Sequence, residues 1–379
     1  MGKTEKDRGE FITQTQGERN TGVLASWLPR WIWSCAANFD TIRIEFETQQ
    51  KRVHDLAEYK AKGRGAAVIV MAGPSLTKNL PLMKDCKIPI FASETMASPL
   101  AYHGRPPEYI MNYDGGAARL FLNNYKWKNS TMIVHPAASA LVIRWWKWEK
   151  IYYLTMHVPQ LESNKIRPTW QLNQLIEYVN QSMYGKEFFE TIQPLLYPYI
   201  TARILNAGCV ANNAIQVAHF MGYDPLFLVG CDFGYPENTS RTHEYTIPRR
   251  FPLEPEWIWK KRWVGIERPT VEELPRDVFM ADNGILTTEE QVEYKIAMMS
   301  VYKIDRPQLI DCSEGIISEL PKANFAEVVK RNGTGYEGQY RTDAEINKIV
   351  NDYYNRIEKN KTKRDGDRKD EKVCNPIDG

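Results

Sequence analysis

Between residues 66 and 156 the chain repeats one pattern: a short, unbroken apolar run followed by a polar or turn-forming stretch. The runs AAVIVMA (66–72), IPIFAS (88–93), EYIMNYD (108–114), TMIVHP (131–136) and KIYYLTM (150–156) recur roughly every 20 residues. Strands with one wet face alternate apolar and polar residues, whereas strands covered on both faces read as continuous β-branched runs, as these do. The spacing leaves room for a helix between neighbours. Repeated βα units and a parallel sheet follow.

Flanking segments extend the pattern. Residues 38–62 carry apolar positions at Ile42, Ile44, Phe46, Val53, Leu56 and Tyr59, and their second half predicts a helix ending before Gly63 and Gly65. Residues 157–200 interrupt the series as a helical insertion. ARILNAG (202–208) predicts a strand, CVANNAIQVAHFMGY a helix from Val210 that stops at Gly222, and PLFLVG (225–230) the next strand. An aromatic and basic insertion follows, including RRFPLEPEWIWKKRWVG (249–265). Thr287 and Glu290 have the spacing of a capping box for a helix over 287–304, and PQLIDCSEG (307–315) supplies a last strand and turn. Thr342 and Glu345 repeat the box before an amphipathic helix through Ile346, Ile349, Val350, Tyr353 and Ile357. The expected organisation is a tail with a Trp-rich segment over 1–37 and a main domain over 38–320, with insertions at about 157–200 and 236–280. A helical extension over 321–358 and a disordered charged tail over 359–379 complete it.

Composition narrows the class. Of 379 residues, 43% are hydrophobic and 25% charged, ordinary for a globular chain, and the formal net charge of +2 gives no electrostatic footprint for nucleic acid. The six cysteines form no Cys-x-x-Cys pair, which excludes a zinc ribbon and fits a reducing compartment. Cys209 and Cys231 are expected to be packing groups rather than nucleophiles. The polar N-terminus reads as no signal peptide, and LASWLPRWIWSCAA (24–37) is too short and interrupted to span a bilayer. A cytoplasmic enzyme is expected, with the Trp-rich segment docked on the protein's own body rather than on a membrane.

Four constellations could carry chemistry. In VIVMAGPSLTKNLPLM (68–83) a strand runs into Gly73-Pro74-Ser75-Leu76 and a helix; a helix starting there aims free N–H groups at an anion, although ordinary β-to-α turns use the same residues. Asn112 and Asp114 fall at a strand's carboxyl end, where open α/β sheets bind ligands, and an aspartate there equally caps a helix. Gly208 opens a helix whose first turn holds Asn212 and Asn213, which cap or bind a base or ribose; His219 in the same helix reads as a core histidine. Asp232 closes a strand, and Thr242-His243 lies in a loop that can fold back over its end. A carboxylate there can hold a divalent cation or ribose hydroxyls, and a histidine can remove a proton from an attacking hydroxyl. Taken singly, a strand-end cap and a surface histidine explain each as well.

Their joint order is more specific. AGPSLTKNL, GCVANNAIQVAHFMGYDPLFLVGCDFGY, the Thr-His pair, DNGILTT (282–288) and CSEG (312–315) follow one another over residues 38–320. In this the sequence resembles the MptE-like family, which includes motility-associated Maf flagellin glycosyltransferases and archaeal 6-hydroxymethylpterin diphosphokinases. It departs from the family pattern at Glu244, where a small residue is usual, and at Ile316, where a second glycine is usual; both concern the acceptor side.

The resemblance implies a Rossmann-like, mostly parallel sheet with helices on both faces, and transfer from a nucleotide-activated donor. In the Maf manner, a CMP-linked nonulosonic acid would pass to a hydroxyl of a protein or glycan. Backbone amides around the turn Gly73, Pro74, Ser75 and Leu76, with Gly208, would hold phosphate, and Asn112, Asp114 and Asn212 the nucleoside or sugar. Asp232 and His243 would organise the reacting end, with His243 as base. The alternative is diphosphate transfer from ATP to a hydroxymethylpterin, with Asp114 and Asp232 holding Mg²⁺. A third class, a non-catalytic nucleotide-binding or scaffold protein, shares the fold.

Overall fold

A computed structural model describes residues 30–113, 127–156, 192–205, 209–235, 278–281, 283–288, 291–292, 294–299, 307–336 and 348. Eight short strands form one sheet: β1 (Val53–Asp55), β2 (Ala67–Val70), β3 (Ile90–Ser93), β4 (Tyr109–Asn112), β5 (Thr131–Val134), β6 (Lys150–Tyr152), β9 (Leu226–Val229) and β12 (Leu309–Asp311). Their order is β1-β6-β5-β4-β3-β2-β9-β12, and every pairing is parallel. Two small ladders sit beside it: β7 (Leu154–Met156) with β8 (Arg203–Leu205), parallel, and β10 (Val278–Met280) with β11 (Leu286–Thr288), antiparallel.

The continuous apolar runs are strands buried on both faces, as their patterning predicts. On one face Ile69, Phe91, Met111, Ile133, Ile151 and Leu228 pack against Ala214, Ile215, Val217 and Ala218 of helix α5 (Val210–Phe220). On the other, Val68, Val70, Ile90 and Val229 meet Leu76 of α2 (Leu76–Asn79), Met96 and Leu100 of α3 (Glu94–Tyr102) and Phe325 and Val328 of α7 (Phe325–Lys330). The second face continues through Ile110, Met132, Val134 and Tyr152 onto Ile42 of α1 (30–47) and Val142 and Ile143 of α4 (Ala140–Trp145). Residues 294–299 form α6. The fold is the Rossmann-like α/β sandwich expected.

Several local expectations shift. The helix predicted over the second half of 38–62 is instead edge strand β1 and a 3-10 turn, Leu56–Tyr59. Val53 and Asp55 face inward beside β6, and Asp55 opens the turn with a capping box to Glu58, so pairing outweighs helical periodicity. The helix lies upstream, and α1 runs without a break through residue 37. KIYYLTM divides after Tyr152 between the main sheet and the β7–β8 ladder. Thr287 does not cap a helix: it is the middle residue of β11 and donates its hydroxyl to Phe233 O, while Thr288 closes the strand and its Oγ1 accepts from Gln291 N at 3.4 Å. Both insertion cores, the Thr342–Glu345 box and the two tails lie outside the described residues.

Strand order places the site. From β2 the chain steps one way through β3, β4, β5 and β6, then returns to β9 on β2's other side. Ligands of open α/β sheets bind beyond the carboxyl ends of the two strands that flank such a reversal. Val70 is level with Val229 across that boundary.

Candidate functional site at the sheet's carboxyl rim

Three loops meet at this reversal, and Asp232 joins them. Its Oδ2 accepts the Ser75 N–H at 2.8 Å, from the loop after β2. Its Oδ1 accepts the Glu314 N–H at 3.0 Å, from the loop after β12, and its carbonyl accepts Ile316 N–H at 2.8 Å. Glycine is required where the loops touch. A Cβ on Gly73 would lie 2.3 Å from Asp232 Oδ2, and one on Gly315 1.7 Å from Asp232 O. Gly230 turns the chain out of β9 at φ +68°, and its carbonyl accepts the Gly73 N–H at 2.8 Å.

Asp232 is buried, 2% exposed. Burial pushes its carboxyl up from 3.8 to about 6, resisted by its hydrogen bonds to Ser75 and Glu314 and reinforced by the charge of Asp311. The Ser75 hydroxyl lies near the same carboxylate without a well-aligned hydrogen bond. Ser75 and Asp232, 157 positions apart, are therefore direct partners.

The expected cradle of free amides at 73–76 is corrected by these bonds. Gly73 N–H goes to Gly230 O, Ser75 N–H to Asp232 and Leu76 N–H to Gly73 O at 3.1 Å, while Pro74 has none. The helix that follows is four residues long. The buried carboxylate occupies the place at which an anion was expected. Each carboxylate oxygen of Asp232 takes one backbone donor within a closed environment.

The remaining candidates divide. Asn112 ends β4, fully enclosed, with neither Oδ1 nor Nδ2 hydrogen-bonded. Strand alternation sets it on the face of Ile110, opposite Met111 and α5. Asn212, on α5, donates from Nδ2 to Tyr294 O at 3.0 Å and ties that helix to α6. Asn112 and Asn212 thus stand on opposite faces. Beside Asn212, the Asn213 amide and the Tyr153 hydroxyl approach each other without a well-formed hydrogen bond. His219 is half-buried with an unpartnered Nδ1 rather than a satisfied core histidine. Asp114, Gly208 and His243 lie outside the described residues.

Other rim residues escaped sequence reasoning. Ser313 Oγ accepts Cys231 N–H at 2.9 Å, and Ser313 N–H reaches Asp311 Oδ1 at 2.8 Å. Three lysines grip the same loop: Lys78 pairs with Glu314 at 2.8 Å, Lys322 with buried Asp311, and Lys295 donates to Ile316 O and Glu319, each at 2.7 Å. Burial lowers Lys295 to about 8, with Glu319 opposing the fall. Gly315 and the small residues of CSEG were the available signal; the lysine pairings carry none, Lys78 and Glu314 being 236 positions apart. His135, after β5, is buried and held neutral by desolvation near a pKa of about 3; its Nδ1 accepts Ala137 N–H at 3.1 Å. Burial pushes Cys209 up to about 11 and Cys231 well above its ordinary value, so neither is a ready thiolate.

The family model for 6-hydroxymethylpterin diphosphokinase MptE-like proteins matches residues 42–238, just over half of the sequence. The chain belongs to the MptE-like family. Its matched stretch runs from within α1 to just past Asp232, so the loop after β12 that completes the Asp232 clamp lies beyond it. Among solved structures, this MptE-like chain is similar to a MAf glycosyltransferase from Magnetospirillum magneticum AMB-1. The two are 13% identical, with a TM-score of 0.40, over 79% of this chain and 43% of that one. The MptE-like chain thus spans less than half the length of that protein. Comparison with curated proteins finds no match.

Proposed function

We propose that this MptE-like protein is a transferase that binds a nucleotide-activated donor across the β2/β9 rim and passes part of it to a hydroxyl acceptor. Family membership supports a transferase. The observation that carries the location is the junction of three loops on Asp232 at the sheet's reversal, with the unpartnered amide of Asn112 two strands away on the same rim. Buried polar groups are almost always hydrogen-bonded, so an amide with both atoms unmet is a natural point of ligand contact.

The favoured reaction is glycosyl transfer from a CMP-linked nonulosonic acid. Asn112 would contact the donor, with Asp114 and Gly208 as further contacts. His243 would be the base that takes the acceptor proton, a role usually contributing about 10²–10⁴-fold in rate. The hydrogen bonds of Asp232 recommend it as a positioning residue. The family's description favours a second reading, diphosphate transfer from ATP to a hydroxymethylpterin. Mg²⁺ would then neutralise the transferring phosphates, with Asp114 and Asp232 as its expected ligands.

Thermal unfolding with CMP, ATP and ATP plus Mg²⁺ tests this, because a ligand that binds only the native state raises Tm. CMP is expected to stabilise. Stabilisation by ATP only when Mg²⁺ is present, without a CMP effect, would select the diphosphokinase reading, and no response to any nucleotide would favour a scaffold.

A further inference from the structure

We propose that Lys78 is a phosphate-binding residue of this rim, and that Glu314 holds its ammonium in place until an anionic ligand displaces the carboxylate. The proposal rests on the nucleotide-donor reading and gives the donor's phosphate a definite partner. The turn at 73–76 cannot supply one through its amides, which all donate within the protein. A phosphate arriving at the β2/β9 reversal therefore requires a side-chain cation, and α2 presents Lys78 one turn beyond Ser75.

The pair is built to open. Lys78 Nζ lies 2.8 Å from Glu314 Oε2, and the side chains are 53% and 46% exposed. An ion pair this wet is weak, so returning the Glu314 carboxylate to water costs little. Both backbones are meanwhile anchored to one group, Ser75 N–H on Asp232 Oδ2 and Glu314 N–H on Asp232 Oδ1. Lys78 keeps its position when Glu314 swings away. Lys322, also half-exposed, is not equivalent: its Nζ pairs with Asp311, whose carboxylate is fully enclosed, and donates to Ser313 O at 3.1 Å. Drawing Lys322 toward a ligand would leave a buried charge uncompensated, which is far more costly. Lys295 is enclosed behind the loop. A phosphate presents ionised oxygens to the ammonium in charge-assisted hydrogen bonds, and so can replace Glu314 on Lys78.

The two partners should therefore respond with opposite sign. Calorimetric titration of the full-length chain with CMP, ATP, ATP plus Mg²⁺ and inorganic pyrophosphate would compare wild type, Lys78→Met and Glu314→Gln. Lys78→Met is expected to weaken the bound probe about tenfold or more, and Glu314→Gln to tighten it about twofold to fivefold by removing a competitor. The unliganded Tm of each variant should stay close to wild type. A purely architectural pair would shift affinity in the same direction in both variants, and that result overturns the proposal, as does unchanged affinity in Lys78→Met. If wild type binds none of the four probes, the donor reading falls and this proposal with it.

Discussion

Asp232 shows how one side chain can stand where a ligand was expected. Carboxylate and incoming phosphate are both anions, and the loop amides satisfied by one cannot receive the other. Its raised pKa has a thermodynamic consequence with a defined sign. A carboxyl that rises from 3.8 to about 6 on folding binds its proton more tightly when folded. Its stabilising contribution is therefore complete below pH 4 and is lost as pH climbs through 6, a change on the order of 3 kcal/mol. Asp232→Asn mimics the protonated form at every pH. The stability of wild type relative to this variant should thus fall between pH 4 and pH 7, which thermal melts at stepped pH would show. A flat difference would contradict the burial. Residue type alone pointed to Gly73, Ser75, Asn112 and Asp232. It did not reveal that Asp232 would take the Ser75 amide, because that depends on β9 lying beside β2.

At the scale of elements, short strands need outside help to keep their loops in place. Asp55, at the end of β1, accepts Ala57 N–H at 3.2 Å, Thr201 N–H at 2.7 Å, Ala202 N–H at 3.2 Å and the Thr201 hydroxyl. One carboxylate thereby ties edge strand β1 to the segment that leads into β8. Asp55→Ala should cost about 2–4 kcal/mol in urea unfolding, since several enclosed donors lose their acceptor together. A loss below about 1 kcal/mol would mean that water replaces it. The same residue explains the misread helix. Apolar positions at Val53, Leu56 and Tyr59 suit a helical face, but Asp55 begins a new turn between them. Local periodicity cannot register a cap that also serves a chain segment 146 positions away.

For the whole molecule, α1 is part of the core rather than an appendage. Trp31 meets Tyr113 edge-on at 5.3 Å between ring centres. Asn38 Nδ2 donates to Pro136 O and Ala138 O, each at 2.8 Å, and Glu45 accepts from both Lys150 and Tyr152 in the interior. Removing residues 1–47 would uncover this face and strand Lys150 without its counter-charge, a loss of about 3–5 kcal/mol from the pair alone. The truncated chain is expected to lose its cooperative thermal transition and near-ultraviolet circular dichroism. A sharp transition near the full-length Tm would show that α1 is dispensable. From residue 30 onward the Trp-rich segment is thus docked through Trp31, with Trp33 exposed on the helix's outer side.

By itself the sequence determined the class of fold and the rim on which its candidate residues gather. Unbroken β-branched runs at helical spacing can be buried only as a parallel sheet between helices, and loops at the carboxyl ends of such strands collect the polar residues. Only the tertiary structure decided strand order, and with it which loops share an edge. That order joins Ser75, Asp232 and Glu314 at one point, parts Asn112 from Asn212 across the sheet, and sets Lys78 against Glu314. Burial and hydrogen-bond partnership arise between residues a hundred or more positions apart, where no local pattern of apolar and polar side chains can record them.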